Sequence, residues 1–592
     1  MKVFPLVRPK LSNEHIMTFV FMILIMYQLP QWLEKPLYIL SFLGVLACGL
    51  LLDTILSTKR SKTIKCSVSA AVTVGVIYAL FPDIHFFGGL LGVVVSLLLG
   101  KHLFGGTGHN ILNPAMVGVV LLQIIFPTDG VLFSNNYIII IAMFLSLPFL
   151  LIRPYASLGL MIGMFIALSL NNSLSLENVI FSGVLFWGCM VITDPVTITY
   201  RPSVGALGGA SVGFVAIFFD SFTTAGSIAI LVLGLNVIST LVDNYMPKNS
   251  KEKLKRTKVK VPYSNIIKHS EHLNSDQKNR LMIDSNNKLT KDDILDKIEA
   301  CEVVGLGGAG FATHLKIKSV IQSRVKGKHL IVNAVECDPG LVHDAWILRE
   351  YPEEISLGIR LICECIPHCK VVLASKDISN LKFEENINVI KVPNYYPIGA
   401  EKKLIKHILN IDLPNDCIPA QEGILVLNIQ TIFSICEAVY LNKKANTKFV
   451  TVANLALKEA QIIKVKIGNR VSEVVDTIYG SEEPVFIGGG LMQARLVNED
   501  ELIEKTTNFI AISPFPRYKE SYCSKCGICV NRCPSGLQVY KIANYVDKEN
   551  LEKTIPYNPQ KCISCGLCSY CCLAGRNLSR KVKMAKEFCL MN

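Results

Sequence analysis

A chain of 592 residues is too long for one compact core, and at about 100–200 residues per domain three or more units are expected. Its net charge of +13 does not mark a nucleic-acid binder, because no recognition module accompanies it and much of it flanks apolar segments or lies in the basic run Lys248 to Lys258. Half of the 20 cysteines follow residue 520, nine of them between Cys523 and Cys572 in tight, regular spacing, which points away from a disulfide framework and toward metal ligation in a reducing compartment.

Residues 12–246 are dominated by Leu, Ile, Val, Phe, Gly and Met. Ten apolar runs, near 14–30, 37–56, 67–82, 85–99, 111–126, 136–152, 155–171, 177–193, 204–220 and 226–245, approach the length that crosses about 30 Å of hydrocarbon. No small-residue cleavage site follows the first run, so it reads as a membrane helix and not as a cleaved signal peptide. Lys2, Arg8 and Lys10 precede it, and Lys59, Arg60, Lys62, Lys65, Lys101, Arg153 and Arg201 fall in alternate loops. The intervening loops carry Asp83, Asp129, Glu177 and Asp220, with Lys35 beside Glu34. By the positive-inside rule, both ends of a multi-pass plasma-membrane domain face the cytoplasm.

Two stretches within this half are too polar for lipid-facing helix, Gly100 to Ala115 (GKHLFGGTGHNILNPA) and Ile192 to Thr197 (ITDPVT). Glycines let backbone approach a ligand or another helix, and buried Asn, His and Asp require partners. A ligand site and a cytoplasmic loop with a helix-packing cap are equally compatible with these residues.

Beyond the basic linker, Val303 to Lys316 (VVGLGGAGFATHLK) reads as a short strand, a glycine loop and a helix, the arrangement that seats a phosphate on backbone N–H groups. Many such matches are only turns. A second strand, His329 to Val335, delivers Glu336, Cys337 and Asp338 into Pro339-Gly340, and a carboxylate there can accept from ribose hydroxyls.

The sharpest signal is Cys523-x-x-Cys526-x-x-Cys529-x-x-x-Cys533-Pro534, repeated as Cys562-x-x-Cys565-x-x-Cys568-x-x-x-Cys572. In two-cluster ferredoxins the fourth cysteine of each run ligates the other cluster. One 4Fe-4S cluster is therefore assigned to Cys523, Cys526, Cys529 and Cys572, and a second to Cys562, Cys565, Cys568 and Cys533. Zinc sites use two separated cysteine pairs, a poor match to three closely spaced thiols plus a fourth. Cys571 is a spare thiol.

The ten-run count and the two polar stretches resemble the membrane subunits of the NqrB/RnfD family, over about residues 8–246. That family's Ser-Gly-Ala-Thr motif for a covalent flavin does not occur in this sequence, so no covalent flavin is carried over. GLGGAGFAT, Asn333 to Gly340 (NAVECDPG) and Tyr396 to Glu401 (YPIGAE) together resemble the RnfC proteins and the flavoprotein component of respiratory complex I, over about residues 290–592. The resemblance implies that Gly305, Gly307, Gly308, Gly310, Phe311 and Lys316 hold flavin mononucleotide (FMN), and that Glu336 and Asp338 face NADH. Leu306 and Ala312 depart from the arginine and proline of the complex I pattern, and Val335 and Cys337 from its acid and glycine. Residues 447–513, with Gly488 to Met492, resemble that family's β-grasp (SLBB-like) domain.

The expectation is a fusion of an RnfD-type and an RnfC-type protein. Its units are a membrane domain (1–246), a basic linker (247–262), an α/β nucleotide-binding domain (263–446), the β-grasp domain (447–513) and a two-cluster ferredoxin-like module (514–592). It would exchange electrons between NADH and a ferredoxin or other redox partner, alongside further proteins of an Rnf-like complex in the lipid bilayer. The competing expectation is a membrane-anchored iron-sulfur docking protein with no NADH oxidation of its own.

Overall fold

In a computed structural model of the protein, the described residues are 12–61, 68–127, 154–172, 186–192, 194, 196–219, 224–245, 264–268, 289–307, 310–379, 381, 383–414, 417–480, 483–498, 500–514 and 520–591. Eight of the ten apolar runs form helices there: Asn13–Glu34, Leu37–Ser61, Val68–Leu80, Phe86–Val95, Pro114–Ile125, Pro154–Leu170, Pro202–Phe218 and Ala225–Tyr245. The run at 136–152 and most of that at 177–193 lie outside the described residues. Three of these helices, Asn13–Glu34, Leu37–Ser61 and Ala225–Tyr245, include stretches long and apolar enough to cross a membrane. The fifth begins later than its apolar run, because Asn113 accepts the Ala115 N–H as N-cap and Pro114 occupies the first turn.

Among the described residues, small side chains and buried charges hold the membrane region together. Pro154–Leu170 and Pro202–Phe218 meet backbone to backbone: a side chain at Gly159 or Gly163 would strike the carbonyls of Ala206 or Ala210, and one at Gly209 that of Ala156. The helix Phe86–Val95 continues into a π-helical turn, Ser96–His102. There the buried Lys101 Nζ lies 2.9 Å from Asp53 Oδ1 and 2.8 Å from Ser69 Oγ, and His102 Nε2 lies 2.8 Å from Asp53 Oδ1. Mutual pairing makes these charges tolerable inside an apolar bundle.

Ten strands follow among the described residues: β1 (Asn265–Lys268), β2 (His329–Ala334), β3 (Lys370–Ser375), β4 (Ile387–Lys391), β5 (Ile424–Asn428), β6 (Thr447–Asn454), β7 (Glu459–Lys466), β8 (Val485–Gly488), β9 (Arg495–Leu496) and β10 (Phe509–Ile512). A four-stranded, wholly parallel sheet runs β4-β3-β2-β5. Strand order reverses between β2 and β5, and open α/β sheets place ligands at the carboxyl ends of such strands. Helices Lys291–Ala300, Pro352–Cys365 and Ile429–Leu441 cover the sheet, and Trp346, Tyr351, Phe433 and Phe449 close its core.

The second sheet is mixed, in the order β1-β7-β6-β10-β8-β9. Here the structure departs from the expected boundary at residue 446. Strand β1, just after the linker, pairs in parallel with β7 through Asn265↔Glu459 to Lys268↔Ile462. The outer edge of β7 is an open row of backbone groups, and a short strand from earlier in the chain satisfies it. The final module, 520–591, packs the helices Val539–Asp547 and Leu578–Met591 around the cysteine runs.

Candidate functional site

The glycine loop is a closed turn. Gly305 N donates to Phe311 O at 2.8 Å, Gly310 N donates to Gly305 O at 3.1 Å, and Val304 bridges Ala312. Gly310 sits at φ +65, where a side chain would be strained. Gly308 lies outside the described residues. The loop feeds the helix Thr313–Gln322, whose N-cap, Ala312, supplies no side-chain acceptor, and the buried Thr313 hydroxyl has no hydrogen-bond partner. Side-chain-free backbone, an uncapped helix start and an orphaned hydroxyl fit a phosphate. Phe311 is 56% exposed at the loop tip. Lys316 is engaged, its ammonium 2.7 Å from Glu401 Oε1 and 2.8 Å from Val426 O. Leu306, where the complex I pattern has arginine, is buried, and its N–H donates to Thr431 Oγ1.

At the end of β2, Glu336 accepts the N–H groups of Asp344 (2.9 Å) and Ala345 (3.4 Å), at the start of the helix His343–Glu350. Burial, then the nearby Asp344 charge, push its carboxyl up to about 8. Burial likewise pushes Asp344 up to about 6. Asp344 is tied to the glycine loop, because Asn428 Nδ2 donates to its Oδ2 at 2.7 Å and a side chain at Gly307 would press on Asn428. Glu336, Asp344 and Asn428 thus join the ends of β2 and β5 to the loop, at the switch point of the sheet. His343, Glu336 and Asp344 each bring a potential ligand atom within 4.8 Å of the others. Asp344, His343 and Asn428 carry no motif of their own in the sequence. Only the crossover that sets β5 beside β2 brings Asn428 to this site.

Asp338, expected on the nucleotide side, points elsewhere. Its carboxylate accepts three backbone N–H groups, from Gly340 (2.9 Å), Leu491 (2.9 Å) and Met492 (3.2 Å). Burial pushes it up to about 6. It clamps the Gly488 to Met492 loop of the second sheet onto the nucleotide-binding domain.

The two cysteine runs fold alike, 39 residues apart, as the pairs 523/562, 526/565, 529/568 and 533/572 show. Gly527 and Gly566 occupy the left-handed region at φ +67 and +73, as do Lys525 and Ser564, and Gly536 and Gly575. Burial and the sulfurs of Cys571, Cys526, Cys523 and Cys572 raise the Cys529 thiol well above its ordinary value. Burial and the sulfurs of Cys565, Cys533, Cys571 and Cys562 do the same to Cys568. Sulfurs from both runs therefore surround Cys529 and Cys568 alike. Cys571 borders both groups, 3.6 Å from the Cys568 carbonyl. Buried thiols gathered in this way suit iron-sulfur clusters, since a cluster needs deprotonated sulfur and offsets the cost of burying it.

The two polar stretches of the membrane region meet each other. Asn113 N donates to Asn236 Oδ1 at 2.9 Å, Asn113 Nδ2 reaches Asp194 Oδ2 at 3.5 Å, and Thr197 Oγ1 donates to Asp194 Oδ2 at 2.7 Å. Asn113 caps the helix Pro114–Ile125, and Asp194 also accepts the Val196 N–H at 3.1 Å within its own turn.

An apolar helical region, a parallel α/β sheet with a glycine loop at its switch point and a double four-cysteine cradle define a membrane-associated electron-transfer flavoprotein of the iron-sulfur class. Residues 1–137 match the NQR2, RnfD, RnfE family, 298–437 the Nuo51 FMN-binding domain, and 515–587 the 4Fe-4S dicluster domain. The chain is 31% identical over 300 residues to the C component of the Na(+)-translocating ferredoxin:NAD(+) oxidoreductase complex of Acetobacterium woodii, covering 48% of this chain and 67% of that one. It is 30% identical over 291 residues to the C component of the ion-translocating oxidoreductase complex of Haemophilus influenzae strain PittEE, covering 46% and 44%. With the corresponding C component from Rhodobacter capsulatus it shares 29% over 277 residues, covering 44% and 53%. The chain belongs to the Rnf family, joining an RnfD-type region to an RnfC-type region. It spans about half the length of most of these curated relatives.

Proposed function

We propose that this chain is an electron-relaying component of an Rnf-type membrane complex that exchanges electrons between NADH and a ferredoxin or other one-electron partner. The carrying observation is the switch point of the parallel sheet, where the glycine loop enters a helix start that no side chain caps. Gly305, Gly307, Gly308, Gly310 and Phe311 would hold FMN, with the phosphate at the start of Thr313–Gln322 and Lys316 supporting the helix through Glu401. Glu336 is the acid nearest the nucleotide, and Asp338 positions the loop that carries Met492. Bound flavin would supply the exchange between two-electron hydride chemistry and single-electron transfer. Cys523, Cys526, Cys529 and Cys572 hold one 4Fe-4S cluster, and Cys562, Cys565, Cys568 and Cys533 the other.

The membrane region crosses the bilayer ten times, with both ends and the soluble domains on the cytoplasmic side, as the alternation of Lys and Arg with Asp and Glu supports. Residues 447–513 form an SLBB-like unit that also recruits strand β1. Further proteins complete the complex and couple it to ion movement. The alternative, a docking protein without NADH oxidation, draws support from the engaged Lys316 and the buried Leu306. Flavin, iron and acid-labile sulfide in the anaerobically purified chain decide between them. Flavin with NADH-reducible clusters supports the relay, and clusters without flavin support the docking protein.

A further inference from the structure

The two cysteine groups touch different parts of the chain. Tyr396 Oη donates to the Cys565 carbonyl at 2.6 Å. Gly566 lies so close to the Met492 carbonyl that a side chain would collide with it, and Tyr396, Met492 and Leu567 share a small apolar cluster with Cys337, Cys565 and Tyr570. Met492 is itself held by Asp338, two residues beyond Glu336. The other run faces the opposite way. A side chain at Gly108, in the glycine-rich loop of the membrane region, would strike the Cys523 carbonyl, and one at Gly527 would strike the Tyr200 ring. Asn13 Nδ2 donates to Ser524 Oγ at 3.0 Å, Asn13 N donates to Leu573 O at 3.1 Å, Asn531 Nδ2 reaches Tyr200 O at 3.3 Å, and Lys541 Nζ reaches Asp243 O at 3.1 Å.

We propose that the group Cys562, Cys565, Cys568 and Cys533 is the port to the nucleotide-binding domain, and that the group Cys523, Cys526, Cys529 and Cys572 is the port to the membrane region. This rests on the eight-cysteine reading above. Electron tunnelling falls steeply with distance, so ligand-bearing backbone in direct contact with a neighbouring domain is where exchange with that domain is fastest. Glycines at 108, 527 and 566 remove the Cβ atoms that would hold these surfaces apart. A single electron crosses each port with no bond made or broken, and what one side loses the other gains. On the nucleotide side the flavin of the proposed function would exchange single electrons with the cluster and an electron pair with the nicotinamide couple, and on the membrane side a one-electron redox centre at that face would complete the transfer. The Tyr396 hydroxyl is a positioning group for the first port only, since hydrogen bonds near a cluster tune its potential.

The test uses the full chain with Cys526→Ala or Cys565→Ala, in vesicles containing a lipid with a dysprosium chelate on its headgroup, reduced by dithionite. The paramagnetic signal surviving in Cys565→Ala should relax faster beside this lipid than the signal surviving in Cys526→Ala. Equal or reversed relaxation overturns the proposal. Should an alanine variant lose both clusters, Tyr396→Phe in the otherwise unaltered chain carries the test. It should shift the midpoint potential of one cluster, the one less sensitive to the dysprosium lipid. A shift of the other cluster, of both or of neither overturns it. A chain that binds no iron overturns the eight-cysteine reading itself, an outcome separate from these.

Discussion

Gly527 and Gly566 hold the same place in the two cysteine repeats, both in the left-handed region, yet one meets Tyr200 of the membrane region and the other the Met492 carbonyl of the second sheet. A near-symmetric module is thereby wedged between two dissimilar surfaces. The local fold is repeated and the environment is not, so equivalent substitutions in the two runs should have unequal consequences.

Cysteine substitutions probe this first. The purified chain should contain about eight iron atoms, two cubane clusters. Cys523→Ser should disturb one cluster's paramagnetic signal more than the other's. Cys571→Ser should leave both, because Cys571 borders the two groups without completing either. Loss of a cluster in Cys571→Ser, or zinc in place of iron, would show the ligand set to be wrong.

Gly307→Val places a branched side chain against Asn428 and so disturbs the contact that ties the loop to Asp344. Flavin content should drop at least about tenfold, equivalent to ~1.4 kcal/mol of lost binding, with dithionite-reducible clusters retained. An absorbance spectrum of the purified variant reads both. Undiminished flavin would remove the glycine loop from the cofactor site.

The contribution of Glu336 and Asp344 to stability should fall as pH rises. The Glu336 carboxyl binds its proton more tightly in the folded chain, so its contribution is complete below 4.5 and is lost as pH climbs toward about 8. Asp344 acts in the same direction over the window ending near 6. Thermal unfolding followed by near-ultraviolet dichroism should show a declining midpoint across this range, flattened in Glu336→Gln. A midpoint that rises with pH in the parent and declines in the variant would contradict the assignment.

Asp338→Ala leaves the N–H groups of Gly340, Leu491 and Met492 without their acceptor, at a cost on the order of 3 kcal/mol. Limited proteolysis should open the Gly488 to Met492 loop in this variant. If Asp338 instead contacts NADH, the variant should lose nucleotide affinity with its proteolytic pattern unchanged.

Reporter fusions after Ser61 and Tyr245 should both report the cytoplasm and a fusion after Phe126 the outside. Matching signals at Phe126 and Tyr245 would take an odd number of crossings from the proposed ten.

What the sequence determined by itself is the chemistry that depends on spacing along the chain. The cysteine runs were legible because ligation of one cluster needs thiols two residues apart, a local requirement. Most apolar runs were legible for the same reason, since a helix satisfies its own backbone. The glycine loop was legible as a loop, and its partners were not. Asn428 stands 121 residues beyond Gly307 (428 less 307), and only the crossover that puts β5 beside β2 brings it there. Asp338 followed the motif to the strand end, but its rotamer was decided by three N–H groups, two of them from the second sheet, because a buried carboxylate turns to whatever donors the fold provides. Strand β1 joined the second sheet because an open edge draws a strand from anywhere in the chain. Which cysteine run meets which neighbouring domain was likewise decided by tertiary contact alone, because two runs of identical spacing carry no mark of their surroundings.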